Sequence, residues 1–226
     1  MILVPVKNLA NAKQRLAALM PQSARTELAQ TMLLDVLDAL RSYGESEVAL
    51  VTSDRFAIST ARDYGFDIIR DDANVSETAA IEMATRLCVS RGIEISVVIP
   101  ADVPLITTEE LSAIFENAPA SGSVLVPAHD KRGTNAILRR SANLFPLQFG
   151  NDSFLPHLKA AISTDTTCTV LSLRGTALDI DTPDDLAHLA DRNGEKRSQL
   201  IARRGCGSAS KVVIENPEHA SSLITE

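Results

Sequence analysis

Short aliphatic runs recur along this chain, separated by stretches of helical period. The clearest are Ile2-Leu3-Val4-Pro5-Val6, Val48-Ala49-Leu50-Val51-Thr52, Ile95-Ser96-Val97-Val98-Ile99 and Ser123-Val124-Leu125-Val126-Pro127. Runs that are apolar almost throughout, rather than alternating, mark strands buried on both faces. Between the first two runs, residues 21–41 place Leu28, Met32, Leu33, Val36, Leu37 and Leu40 on one broad face, the spacing of a core-facing helix. Strand, helix and strand in repeated succession select an α/β architecture.

The rest of the chain extends this pattern. Ser53-Asp54 reads as the cap of a helix over 57–64 that ends at Gly65, and 67–70 as a further strand. Helices are expected over 76–90 and from about 105, where Thr107 and Glu110 have the spacing of a capping box. A short strand over 134–138 and a helix over 153–162 follow, with Pro156 confined to the first turn. A strand over 167–173 and a helix from Pro183 to Leu189 complete one domain, residues 1–190. Residues 191–226 are charged and then rich in Gly and Ser, the composition of a flexible tail in which 211–214 form at most a small strand.

Composition removes several classes of function. A formal charge of −7 argues against general attraction to nucleic acid or an anionic membrane, and 4% aromatic content argues against base stacking. Cys88, Cys168 and Cys206 show no metal-ligand spacing, and such sparse use fits a reducing compartment. The N-terminus lacks a positive region before its apolar run, so a cytoplasmic protein is expected. His129 and His157 form no nucleophilic triad with a Ser or Cys motif.

Three constellations remain for chemistry. The first is the loop after the first strand, with Lys7, Lys13 and Arg15, where phosphates meet cations in open α/β sheets. It lacks the glycine spacing of a P-loop. The second is Asp102 in Pro100-Ala101-Asp102-Val103-Pro104-Leu105, with Asp179 and Asp181 in Leu178-Asp179-Ile180-Asp181-Thr182-Pro183. If 179–181 is extended, Asp179 and Asp181 share a face, and hard carboxylate oxygens at strand exits suit Mg²⁺. The bland alternative makes Asp102 a turn residue and Asp181-Thr182-Pro183 a helix start. The third is Arg132-Gly133-Thr134-Asn135 with Phe149-Gly150-Asn151-Asp152-Ser153-Phe154, where glycines permit close approach and Thr134 and Ser153 offer hydroxyls. Ser153 is equally readable as a helix cap.

Taken in order, these segments resemble the 2-phospho-L-lactate guanylyltransferase family of coenzyme F420 biosynthesis. The likeness covers about residues 1–190 and includes Val4-Pro5-Val6-Lys7, Ala12-Lys13-Gln14-Arg15-Leu16 and Gly133-Thr134-Asn135-Ala136 besides the acidic segments. The resemblance implies a single-domain nucleotidyltransferase fold, with a mixed, mostly parallel sheet and helices on both faces. It implies transfer of GMP from GTP to a small phosphorylated acid, with 2-phospho-L-lactate first and phosphoenolpyruvate or 3-phospho-D-glycerate as alternatives. It further implies Mg²⁺ on Asp102, Asp179 and Asp181, and catalytic roles for Lys13, Asp102 and Asp181. Nucleotide phosphates would face Lys7, Lys13 and Arg15, and the acceptor would lie around Thr134, Gly150 and Ser153.

The helix start at Ser76-Glu77 departs from many relatives. It could approach the nucleotide, although Glu77 would repel a phosphate unless a cation intervened. A sugar-phosphate or molybdopterin acceptor and a non-catalytic GTP-binding protein are the rival functions, and a symmetric homodimer is a plausible assembly.

Overall fold

The computed structural model describes residues 1–150 and 152–209, so the segment 211–214 lies outside the described residues. Among these residues one sheet contains β1 (Ile2–Val6), β2 (Val48–Thr52), β3 (Asp67–Arg70), β4 (Ile95–Val98), β5 (Gly122–Pro127), β6 (Thr134–Arg140) and β7 (Thr167–Val170). The helices are α1 (Gln22–Tyr43), α2 (Arg55–Tyr64), α3 (Glu77–Ser90), α4 (Thr108–Glu116), α5 (Phe154–Ile162), α6 (Pro183–Asp191) and α7 (Arg197–Ala209). None of the described helices is long and apolar enough to cross a membrane.

The strand order is β3-β2-β1-β4-β6-β5-β7. β6 runs antiparallel to β4 and β5, while the other pairings are parallel. The sheet is therefore mixed and mostly parallel, as expected. Residues 128–133 are too few for the crossover a parallel partner requires, so β5 and β6 form a hairpin.

Side-chain alternation along the strands supplies two cores. Ile2, Val4 and Val6 pack with the apolar face of α1, including Leu28, Met32 and Leu33. Met1 and Leu3 point to the opposite face, with Ile81, Ala84 and Cys88 of α3 and Ala161 of α5. Helices thus cover both faces, which explains the continuous apolar runs. Pro5 pairs with Val51 of β2, but pairing between β1 and β4 covers only Ile2 and Leu3. The residue without an N–H therefore lies beyond the β4 ladder.

The chain steps outward from β1 to β3 and then returns to the other side of β1 as β4. That reversal opens a crevice beyond the carboxyl ends of β1 and β4, where α/β sheets bind ligands. The loops carrying Lys7 to Arg15 and Pro100 to Asp102 begin there.

Beyond residue 190 the structure corrects the flexible-tail reading for residues 197–209. They form α7, anchored by Asp35 of α1. The buried Asp35 carboxylate accepts Ser198 N at 2.9 Å and Ser198 Oγ at 2.6 Å. Ile201 and Ala202 enter the α1-side core. The glycines at 205 and 207 suggested flexibility, but an anionic partner at the helix start and two buried apolar residues outweigh their propensity cost of about 1 kcal/mol each.

Candidate active site

The acidic segments meet through the backbone. Ile180 N donates to Asp102 O at 3.2 Å, which brings the loop after β7 back to the end of β4. Ile180 is fully buried in the α1-side core. Its flanking residues Asp179 and Asp181 project away from that core, the two-residue periodicity expected of an extended segment. Asp181 also precedes α6, whose cap Thr182 forms a capping box with Asp185. The helix-start reading of this segment is therefore correct alongside the convergence of its carboxylates.

Lys13 joins the two acidic segments. Its Nζ donates to Asp102 Oδ2 at 2.6 Å and to Asp181 Oδ1 at 2.9 Å. The side chain is only 7% exposed, and Lys13 adopts a left-handed backbone conformation, φ 55°, that turns the loop into the crevice. Burial opposes the ammonium charge, yet attraction and hydrogen bonds from Asp102 and Asp181 hold its pKa above the ordinary lysine value. The same pairing has the reverse effect on Asp181. Burial would raise its pKa, but Lys13 and then Arg15 hold it below the usual carboxylate value. Arg15 lies 3.6 Å from Asp181 Oδ2.

Asp179 stands beside this pair, with its Oδ1 accepting from Asn135 Nδ2 at 3.0 Å. Burial and the nearby Asp102 charge raise its pKa to about 6, despite that hydrogen bond. Two of the three expected metal ligands thus share one cation, while the third is held alongside by an amide. Lys7 instead faces Asp71, with Nζ to Oδ2 at 2.5 Å, and Asn74 at 3.3 Å.

A cavity of about 430 Å³ opens over these groups, lined in part by Lys7, Lys13, Arg15, Glu77, Asp102 and Asp181. Glu77 is raised to about 7 by burial first and by Asp102 second. A carboxyl substantially protonated at neutral pH offers a hydrogen to an anion, which reduces the repulsion anticipated from the sequence. Ser76 caps α3 by accepting from Ala79 N at 3.1 Å and is not among the residues lining this cavity.

A second cavity, about 520 Å³, adjoins it on the Asp179 and Asp181 side and is also lined by Arg15, Arg132 and Gly150. Gly150 has φ +136°, a conformation available chiefly to glycine. Thr134 and Ser153 do not line the cavity and are buried. Thr134 Oγ1 lies 3.0 Å from His157 Nδ1, and Ser153 Oγ donates to Thr134 Oγ1 at 3.5 Å. His157 Nε2 accepts from Gln148 N at 2.9 Å, so a neutral ring carries its proton on Nδ1 toward Thr134. Burial and then Arg139 lower the His157 pKa to about 4, consistent with that neutral ring. Ser153 makes no side-chain cap hydrogen bond to α5.

Two supports of the site were absent from the sequence reading. At the β5–β6 pairing, Val126 opposes Ala136 while Pro127 opposes Thr134, leaving Asn135 as an extra residue. This bulge lets adjacent Thr134 and Asn135 serve His157 and Asp179 respectively, as bulges beside functional sites can do. The second support is Glu110, which accepts Gly175 N at 2.7 Å and Thr176 N at 2.9 Å. The Thr107–Glu110 spacing therefore makes only half of the expected capping box. Thr107 caps α4, while Glu110 secures the loop before Asp179. The spacing alone could not distinguish these partners.

Beside the second cavity, which His129 and Asp185 also line, His129, Asp185 and His188 bring one possible ligand atom each within 4.8 Å of one another, a group able to hold a metal ion.

A family model described as "Guanylyl transferase CofC like" matches residues 1–204. The chain belongs to that family. The resemblance read from the ordered motifs is thereby established, and the match reaches well into α7. The chain is 35% identical over 192 residues to phosphoenolpyruvate guanylyltransferase of Rubrobacter xylanophilus, covering 84% of this chain and 93% of the relative. It is 34% identical over 200 residues to 2-phospho-L-lactate guanylyltransferase of Archaeoglobus profundus, covering 88% and 86%. It is 32% identical over 191 residues to 3-phospho-D-glycerate guanylyltransferase of Colwellia psychrerythraea, covering 84% and 90%. The fold is similar to a crystal structure from Desulfovibrio desulfuricans described as a nucleotide-diphospho-sugar transferase, with TM-score 0.73, 16% identity and coverage of 91% and 94%.

Proposed function

We propose that this CofC-like protein transfers GMP from GTP to the phosphate of a small phosphorylated carboxylic acid and releases pyrophosphate. The observation that carries this reading is Lys13, a buried ammonium bridging Asp102 and Asp181 at the carboxyl end of β4. Two carboxylates within reach of one cation, with Asp179 alongside, are a hard-oxygen donor set suited to Mg²⁺. Asp102, Asp179 and Asp181 would hold the ion, and when bound it neutralises developing charge on the transferring phosphoryl group.

In the reaction, an acceptor phosphate oxygen attacks the α-phosphorus of GTP. The bond to the bridging oxygen of the β-phosphate breaks, and pyrophosphate leaves with that electron pair. The acceptor already carries its nucleophile, so the protein needs no covalent intermediate and acts chiefly by positioning and charge. Lys13 turns from the carboxylates to the nucleotide phosphates, while Arg15 bridges the two cavities. Lys7 exchanges Asp71 for phosphate oxygen, and protonated Glu77 donates to the same anion. Ser76 acts indirectly by fixing the start of α3.

The second cavity suits the acceptor. Gly150 permits close approach, Arg132 supplies positive charge once its ion pair with Asp152 opens to the incoming phosphate, and Thr134 and Ser153 brace the wall with His157. Phosphoenolpyruvate is the first acceptor to test because it names the relative at 35% identity. 2-Phospho-L-lactate and 3-phospho-D-glycerate follow. The deciding assay measures pyrophosphate release from GTP, ATP or CTP with each acid, with and without Mg²⁺. GTP should turn over with at least one acid only when Mg²⁺ is present. No turnover by folded protein in any pairing overturns the proposal. Replacing Asp102 or Asp181 with Asn should lower kcat by about 10²–10³, the scale of losing an electrostatic stabiliser.

A further inference from the structure

The group formed by α6 and the β5–β6 connection differs chemically from the carboxylate site, although His129 and Asp185 line the second cavity together with Asp179 and Asp181. Asp185 and His188 are three residues apart on α6, so their side chains share a helix face. His129 reaches them from the β5–β6 connection, where its backbone N donates to Ala177 O at 2.8 Å. His129 Nε2 lies 3.5 Å from Asp185 Oδ1. That separation is long for a direct hydrogen bond, but close to the about 3.3 Å between neighbouring ligands of a tetrahedral ion with bonds near 2.05 Å. The two histidine rings meet edge to face, with centroids 6.2 Å apart.

The two oxygens of Asp185 have separate surroundings. Oδ2 accepts Asp181 N at 3.2 Å, Thr182 N at 2.8 Å and Thr182 Oγ1 at 2.8 Å. Those bonds fix the carboxylate and direct Oδ1 toward His129. A ligating carboxylate oriented by its own hydrogen bonds is a usual support of a metal centre. His129 and His188 are exposed, and with every ligand atom within 4.8 Å of the others, closing them to tetrahedral spacing requires at most about an ångström and a half of side-chain motion.

We propose that His129, Asp185 and His188 bind one divalent transition-metal ion of the zinc class. Two imidazoles and one carboxylate oxygen suit Zn²⁺, whereas Mg²⁺ prefers an oxygen shell that retains several waters. Water completes the fourth position. The ion ties the β5–β6 connection to the first turns of α6, and through Asp185 to the backbone of Asp181. It therefore stabilises the loop carrying Asp181, and is distinct from the Mg²⁺ position proposed on Asp102, Asp179 and Asp181.

The test uses the full chain, freed of metal by chelation and returned to buffer with excess Mg²⁺, titrated with Zn²⁺ in a calorimeter and scanned for thermal unfolding. The expected result is one equivalent of Zn²⁺ bound despite the Mg²⁺, with a rise in Tm. His129→Ala and His188→Ala change exposed side chains and should fold as the parent does, yet each should weaken that binding at least tenfold and remove most of the Tm rise. Co²⁺ in place of Zn²⁺ should give visible absorption of a four-coordinate N/O site that is lost in the His188→Ala protein. No binding by the parent overturns the proposal. So does binding that survives both histidine replacements, or binding that is lost in Asp102→Asn while both histidines are intact.

Discussion

Replacing Lys13 with Met tests the central geometry because it removes the charge while keeping most of the side-chain volume. Coulomb's law at 2.6 Å and 2.9 Å gives about 1.5 kcal/mol per contact in a water-like medium and about 6 kcal/mol at an effective dielectric of 20. The lower part of that range applies best. Asp102 is 30% exposed and Asp181 44%, so solvent screens both, and desolvation of Lys13 offsets part of the gain. The expected net loss is about 1–3 kcal/mol in metal-free protein, or about 3–10 °C in Tm for a chain of this size. Divalent binding should change in the opposite direction. With the competing ammonium removed, Mn²⁺, as a calorimetric probe for Mg²⁺, should bind metal-free Lys13→Met protein about tenfold more tightly, while GTP turnover falls. A double-mutant cycle with Asp102→Asn should return a coupling of about 1–3 kcal/mol, as expected for contacting charges. Unchanged Tm together with unchanged Mn²⁺ affinity would refute the claim that Lys13 and a divalent ion share these carboxylates.

Three other perturbations probe the supports. A Cβ on Gly175 would sit 2.2 Å from Leu105 O, so Gly175→Ala should displace the loop before Asp179, cost about 1–3 kcal/mol in urea unfolding and reduce kcat; parent-like stability and turnover would remove this loop from the site's framework. Asp35→Ala should cost about 2–4 kcal/mol and expose residues beyond 196 to limited proteolysis, since it removes the charged acceptor at the start of α7; unchanged cleavage would count against that anchor. His157 has a folded pKa near 4 and a reference value of 6.5, so the folded state favours the neutral ring. Its contribution is complete above pH 6.5 and declines as pH falls toward 4, by about 3 kcal/mol in all, and His157→Asn should flatten that part of the stability–pH curve.

The fold was legible where local pattern determines structure. Five-residue aliphatic runs became strands because both sheet faces are covered. Asp54, Thr107 and Thr182 lie at helix starts because their side chains accept early backbone N–H groups. The direction of β6 could also be inferred, since six connecting residues cannot provide a parallel crossover. The docking of α7 was not legible. It depends on Asp35, a polar residue among the apolar positions of α1, and on residues more than 160 positions downstream. Local composition records the glycines of α7 but carries no trace of that long-range contact.

The site follows the same division, with a consequence for assigning roles. The ordered motifs identified Lys13, Asp102, Asp179 and Asp181, which the structure gathers around one crevice. Role assignment was less direct where two neighbouring residues divide their tasks. Thr134 was the expected acceptor ligand, yet its hydroxyl is buried against His157 while Asn135 reaches Asp179. The extra residue in β6 produces that division, and a bulge has no local sequence mark apart from its partner strand. Lys196 illustrates the same principle from outside the motif set: its Nζ donates to Pro104 O at 2.5 Å and Ile106 O at 3.2 Å, buttressing the loop that begins at Asp102. Motif residues therefore identify where charge gathers. The precision of that charge depends on backbone contacts made by Glu110, Gly175 and Lys196, whose importance arises only after the strands have brought distant loops together.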